Sequence, residues 1–256
     1  MTAPVVIAAL AIAGLAVGSF LNVCIHRIPR RESIVWPGSH CATCQRPLAW
    51  YENVPLASYA VLRGRCRTCG ASIALRYPAV EAITAAAFVL EYLAIGWTPL
   101  LAVRLLFVAV LIVLFAIDLE HQILPNVITL PGIVVGLACA LLLPPGLRDA
   151  LIGVLVGGGV LFLIAEAYYR IRGEEGMGMG DVKMLAMVGA FLGWKLTLLT
   201  LILASFAGSL IGVVILATRR GGMKAALPFG TFLAIGAFIA SAVGQDILTW
   251  YLGLYS

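Results

Sequence analysis

Two aspartates are the residues of this chain best placed to do chemistry. Asp181 closes the run Gly176-Met-Gly178-Met-Gly180-Asp181 at the start of one apolar segment, and Lys183 follows two residues later. Asp118 closes Phe115-Ala-Ile-Asp118 at the end of an earlier apolar segment. A carboxylate at the edge of a membrane segment is costly, so it points to function and calls for a partner. Glycines at alternate positions let the backbone bend sharply, or approach another chain closely, just before Asp181. If the two carboxylates meet, they cannot both ionise easily and share a proton near neutral pH. The ionised member then activates water while the protonated one polarises a carbonyl. Helix ends should bias the pair. Asp181 at a helix N-terminus is expected to carry the charge more often, and Asp118 at a helix C-terminus to be protonated more often. The simpler alternative is a helix cap at Asp181 and a membrane-edge residue at Asp118.

Four of the six cysteines form two Cys-x-x-Cys pairs, Cys41 with Cys44 and Cys66 with Cys69. Two such turns can set four thiolates tetrahedrally around Zn²⁺, and four thiolates leave no open position for water. The expected metal is therefore a structural zinc that supplies much of the loop's folding energy. Cys24 and Cys139 lie in or beside apolar segments and read as small packing residues. The histidines at 26, 40 and 121 form no His-Glu-x-x-His pattern, and no nucleophile elbow, phosphate loop or dinucleotide fingerprint is visible.

These residues need elements to position them, and composition says which. The chain has 256 residues, 62% hydrophobic and 11% charged, with mean hydropathy +1.05. A soluble domain would carry roughly 25% charged residues, so this is a polytopic membrane protein. Nothing resembles a nucleic-acid module. Eight apolar segments are expected, at about 4–23, 78–97, 99–117, 127–143, 150–169, 182–194, 196–218 and 227–251. The sixth is short enough to suggest a partial or tilted crossing. The first lacks a basic n-region and reads as a retained helix rather than a cleaved signal. Gly14 and Gly18 within it are spaced for close helix contact.

Between Arg27 and Tyr77 the composition turns polar and basic. The resulting division is a first membrane helix at 1–26, a cytoplasmic zinc-binding loop at 27–77 and a seven-helix membrane domain at 78–256. With the N-terminus outside, fourteen of the 17 Lys and Arg residues fall on the cytoplasmic side, among them Arg219, Arg220 and Lys224. That orientation puts the end of the third helix and the start of the sixth at the same face. Asp118 and Asp181 would both lie at the cytoplasmic edge of the membrane.

The residues taken together resemble the bacterial type IV prepilin peptidases, membrane aspartic proteases with a Gly-x-Gly-Asp motif. The likeness runs through Gly18-Ser-Phe-Leu-Asn22, the cysteine loop with Trp50-Tyr-Glu52-Asn-Val-Pro55, and Arg76-Tyr-Pro78-Ala-Val-Glu81. It continues through Ile117-Asp118-Leu-Glu-His-Gln-Ile-Leu-Pro125-Asn126 and Gly178-Met-Gly180-Asp181-Val-Lys183. The resemblance implies that Asp118 and Asp181 are the catalytic pair and that the four cysteines hold zinc. It also implies removal of a short basic leader from prepilins and type II secretion pseudopilins, after a glycine, in the bacterial inner membrane. Many members then methylate the new N-terminus using S-adenosylmethionine. The loop is too short for a Rossmann-type methyltransferase, and Glu52 and Asn53 read equally well as loop-folding residues. Lys183 could pair with Asp181, with the helix end or with an acidic substrate residue.

Two other classes remain at this point. Membrane carboxylates also relay cations or protons in transporters, although such acids belong near the bilayer centre. Two dithiols could also serve a membrane thiol oxidoreductase, although that chemistry would place them outside.

Overall fold

The structure, a computed structural model, describes residues 2–174, 178–218 and 228–254. Gly176, Arg219, Arg220 and Lys224 lie outside these residues. The described residues form helices α1 (Ala3–Arg27), α2 (Ala57–Val61), α3 (Arg76–Ile95), α4 (Pro99–His121), α5 (Asn126–Cys139), α6 (Leu147–Arg172), α7 (Met179–Thr218) and α8 (Phe229–Gly253), with no strand among them. Six of these, all but α2 and α5, are long and apolar enough to cross a membrane. At 1.5 Å per residue the 14-residue α5 reaches about 21 Å, short of the ~30 Å hydrocarbon core.

The sixth and seventh expected segments are joined in α7, which bends at Gly193 with φ 75° and ψ 168°. Only glycine adopts that conformation freely, and a Cβ there would also lie 3.0 Å from the Pro145 side chain. The bend places both arms of α7 on one turn of α6. A Cβ on Gly157 would meet the Leu185 carbonyl from the first arm and, at 3.0 Å, the Thr197 methyl from the second. Thr197 Oγ1 donates back to the Gly193 carbonyl at 2.8 Å, tying the first turn of the second arm to the bend.

The chain divides into two compact units, 1–97 and 98–256. In the first, α1 packs on α3 through the predicted glycine pair. A Cβ on Gly14 or Gly18 would come within 2.6 Å of the Ala85 Cα or 2.7 Å of the Glu81 Cα. Asn22 ties the same helices by donating to the Tyr77 carbonyl at 3.0 Å.

In the second unit the first arm of α7 is the central post. Every residue from Met184 to Gly193 is buried, so this all-round apolar stretch is enclosed by protein rather than by lipid. Phe191 stacks on Phe107 of α4 with centroids 4.8 Å apart. Gly189 and Gly153 of α6 meet backbone to backbone, and Gly136 of α5 sits against Ala190 and Phe191. Between apolar helices in lipid, such small residues allow the close van der Waals contact that holds them together. The second arm is largely exposed beyond Ala204.

A side chain at the Gly153–Gly189 contact would meet backbone rather than a movable side-chain tip. Gly189→Val should therefore destabilise the second unit by at least about 1–3 kcal/mol, the usual cost of overpacking. Thermal unfolding in detergent checks this, with Gly159→Val as the control, since nothing lies within 4 Å of a Cβ there.

Candidate active site and metal centre

Asp118 stands in the last turn of α4 and is buried. Its Oδ2 accepts two hydrogen bonds from Thr231 in the first turn of α8, one from the backbone N–H at 2.7 Å and one from Oγ1 at 3.1 Å. The N–H groups of a helix's first turn have no partner within the helix. Asp118 therefore caps α8 while ending α4. Ten residues further along α8, Arg104 of α4 donates to Ser241 Oγ at 2.7 Å, so two polar pins fix the antiparallel pair.

Asp181 lies in the first turn of α7, its N–H bonded to the Gly178 carbonyl at 3.1 Å. The Asp118 and Asp181 carboxyl groups lie close enough to influence each other. Leu124, in the linker after α4, shows how the helix ends meet. A Cβ on Gly180 would lie 2.9 Å from the Leu124 Cβ, and one on Gly230 would lie 2.8 Å from the Leu124 Cδ1 and 3.0 Å from Asp118 Oδ2. Gly180 is thus required by space, and a side chain at Gly230 would press on both Leu124 and the Asp118 carboxylate. A Cβ on Gly178 would make only ordinary contact, 3.8 Å from Asp181 Oδ2.

The expected bias from helix ends is opposed here. Asp118 sits at the C-terminus of its own helix but also at the N-terminus of α8, whose amide and hydroxyl both point at Oδ2. Lys183 does not bond Asp181. Its Nζ donates to Asn126 Oδ1 of α5 at 2.9 Å, tying the starts of α5 and α7. His121 is exposed and lies 4.0 Å from Glu120. Leu124, Gly230 and Thr231 were not singled out from sequence. A Gly-Thr pair opening the last apolar segment was the available signal, but it had no partner until α4 and α8 were seen together.

The four cysteines of the first unit converge. Their Sγ atoms all lie within 4.8 Å of one another, and Cys41 Sγ is 3.8 Å from Cys69 Sγ. Tetrahedral bonds of 2.3 Å require sulfur separations of about 3.8 Å, so the set fits Zn²⁺. Both turns are built alike. The N–H of Cys41 bonds the Arg46 carbonyl and that of Cys66 bonds the Ala71 carbonyl, at 3.0 and 2.8 Å. Each Cys-x-x-Cys is followed by a residue of positive φ, Gln45 at 57° and Gly70 at 71°. Isolated bridges, His40 to Pro47 and Arg65 to Ser72, close the two turns.

The turns also aim amides at sulfur. Amides of Cys69 and Thr68 hold Cys66 down to about 6, and those of Cys44 and Thr43 lower Cys41. At Cys69 the Ala71 amide works the same way, but desolvation and the three crowded sulfurs push the thiol up to about 11. Four thiolates at this separation need a cation among them.

Glu52 is buried under this cluster. It accepts from Arg46 Nη2 at 2.7 Å and from the Ala49 N–H at 2.9 Å. Glu52 therefore has a loop-folding role, as one of its two sequence readings held. Arg67 donates to Tyr51 Oη at 2.8 Å, and Tyr51 makes an edge contact with Trp50.

Comparison with known proteins matches residues 12–95 to the bacterial peptidase A24 N-terminal domain and residues 105–213 to the type IV leader peptidase family. The chain is 44% identical over 215 residues to a prepilin leader peptidase/N-methyltransferase of Myxococcus xanthus, covering 82% of this chain but 64% of that protein. Proteins of the same description from Aeromonas hydrophila and Pseudomonas aeruginosa are 40% and 38% identical over 265 residues. Those matches cover 93% of this chain and 91% of each relative. No solved structure matches the chain significantly.

Proposed function

Because this chain belongs to the type IV leader peptidase family, we propose that it is a membrane aspartic endopeptidase. It removes the leader from type IV prepilins and type II secretion pseudopilins, cutting after a glycine at the cytoplasmic face of the bacterial inner membrane. N-methylation of the new N-terminus follows, as the names of its relatives suggest for them. The observation that carries the reading is one of placement. Two carboxylates reach the same gap from the last turn of α4 and the first turn of α7, with Leu124 wedged between the glycines beside them. Neither a transporter nor a thiol oxidoreductase gains support from this arrangement, since the four sulfurs are arranged to share one cation.

Asp118 and Asp181 share one proton. The ionised member takes a proton from water as the water oxygen attacks the scissile carbonyl, which the protonated member polarises. Collapse of the tetrahedral species breaks the C–N bond, and the amine leaves with a proton from the pair. Thr231 holds Asp118 through Oδ2 and leaves Oδ1 for water or the carbonyl. A site at helix ends suits the substrate, whose cut lies where an apolar helix meets the polar leader. Lys183, two residues from Asp181, is held by Asn126.

Cys41, Cys44, Cys66 and Cys69 hold a structural zinc that folds the loop. Methyl transfer takes its group from S-adenosylmethionine, and no residue of the chain is assigned to that donor.

With a prepilin substrate in membranes, the intact chain should release the leader, and Asp118→Asn or Asp181→Asn should each slow release by about 10²–10⁴-fold. Undiminished cutting by either variant would remove the dyad. Thr231→Val keeps the amide donor and loses the hydroxyl. One hydrogen bond of about 1 kcal/mol predicts roughly a fivefold fall in kcat, with Thr231→Ser near normal. Metal analysis should find zinc in the purified protein, and Cys66→Ser should lower it while speeding proteolysis of residues 28–75. Unchanged zinc in that variant would place the metal elsewhere.

A further inference from the structure

We propose that the loop tip Ile34-Val35-Trp36 is a membrane anchor that seats in the interfacial layer of an anionic bilayer beside the end of α1. The tip is held outward by a buried cation. Arg27, in the last turn of α1 and 7% exposed, donates from Nη1 to the Ser33 carbonyl at 2.8 Å and from Nη2 to the Gly38 carbonyl at 3.2 Å. Both ends of a six-residue loop are thus tied to one helix terminus. Ser33 Oγ then accepts from the N–H groups of Val35 and Trp36, at 3.3 and 3.2 Å, which shapes the tip. Its side chains turn away from the protein, Val35 83% exposed and Trp36 78%, with Ile34 beside them.

Clustered apolar side chains directed at water are unfavourable and mark an interaction surface. The occupant follows from what lies next to them. Arg27 ends a membrane-crossing helix, and that one side chain holds both ends of the loop, so the tip stays close to where α1 leaves the bilayer. Tryptophan favours the headgroup level of a bilayer. The surrounding charge is complementary to anionic lipid. Residues 28–75 carry six arginines against two glutamates, and one of those glutamates, Glu52, is already paired with Arg46. Arg30, Arg31, Arg63, Arg65 and Arg67 are all exposed. Juxtamembrane arginines of this kind are drawn to acidic headgroups.

The test uses the full chain, labelled with fluorotryptophan, in nanodiscs containing phosphatidylglycerol. The Trp36 fluorine resonance is assigned by its loss in Trp36→Phe. A doxyl lipid labelled near the headgroup should remove most of its intensity, and a soluble gadolinium chelate should leave it largely intact. Replacing phosphatidylglycerol by phosphatidylcholine should reduce the protection from gadolinium. Broadening by gadolinium with no effect of the doxyl lipid would overturn the proposal. So would protection that arises only when a prepilin peptide is added, because the tip would then be a substrate contact. The readout needs no catalysis, so it stands or falls independently of the protease reading.

Discussion

The second unit depends on one helix having no face left for lipid. From Met184 to Gly193 the first arm of α7 is surrounded by α4, α5, α6 and the bend of its own chain. Lipid tails are as apolar as leucine, so burial of Met184, Leu185 or Met187 gains little by itself in a bilayer. Close approach does the holding, and close approach is set by Gly153, Gly157, Gly189 and Gly136, where a Cβ would strike backbone or ring atoms. The bend at Gly193 belongs to the same requirement, since it brings the second arm back over α6. An immobile first arm gives Asp181 a fixed origin.

Polar groups are placed by a second constraint, that helix ends leave donors and acceptors needing partners. Asp118 answers the start of α8, and Asn126 and Lys183 join the starts of α5 and α7 through their side chains. The first bond satisfies a helix terminus, and both bonds lie beside a candidate catalytic carboxylate. That economy explains why the candidate site sits where several helices end. A glycine beside each carboxylate, Gly180 and Gly230, then lets the helix ends close around Leu124, which fills the space that two β-carbons would have taken.

Much of this was legible in the sequence. The carboxylate pair, the four cysteines and the Gly14–Gly18 contact all follow from residue type, spacing and hydropathy, because each is a local pattern with a strong physical cause. The number of crossings was less legible. Hydropathy marks the segment 182–194 as apolar whether it crosses lipid or is enclosed by protein, and it counts 127–143 as a span although α5 stops after 14 residues. Partners were hardest to read. Lys183 has Asp181 two residues away, yet its bond goes to Asn126, fifty-seven residues distant. The helix-end rule for Asp118 considered only α4, and the N-terminus of α8 acts in the opposite sense.

The first unit follows a different logic, since outside the bilayer a loop of this size has too little apolar surface to fold on its own. Its order comes from polar anchors. Arg27 clamps 33 and 38, Glu52 binds Arg46 and the Ala49 amide, and Glu81 accepts from the strained Leu56 at φ 57°. The four sulfurs sit among backbone amides, which do not supply enough positive charge for four thiolates. A divalent cation completes that balance, and a thiol cluster without one would have to stay largely protonated. Fold and metal in this loop are consequently one equilibrium. In the second unit, by contrast, Gly-rich contacts hold the helices together.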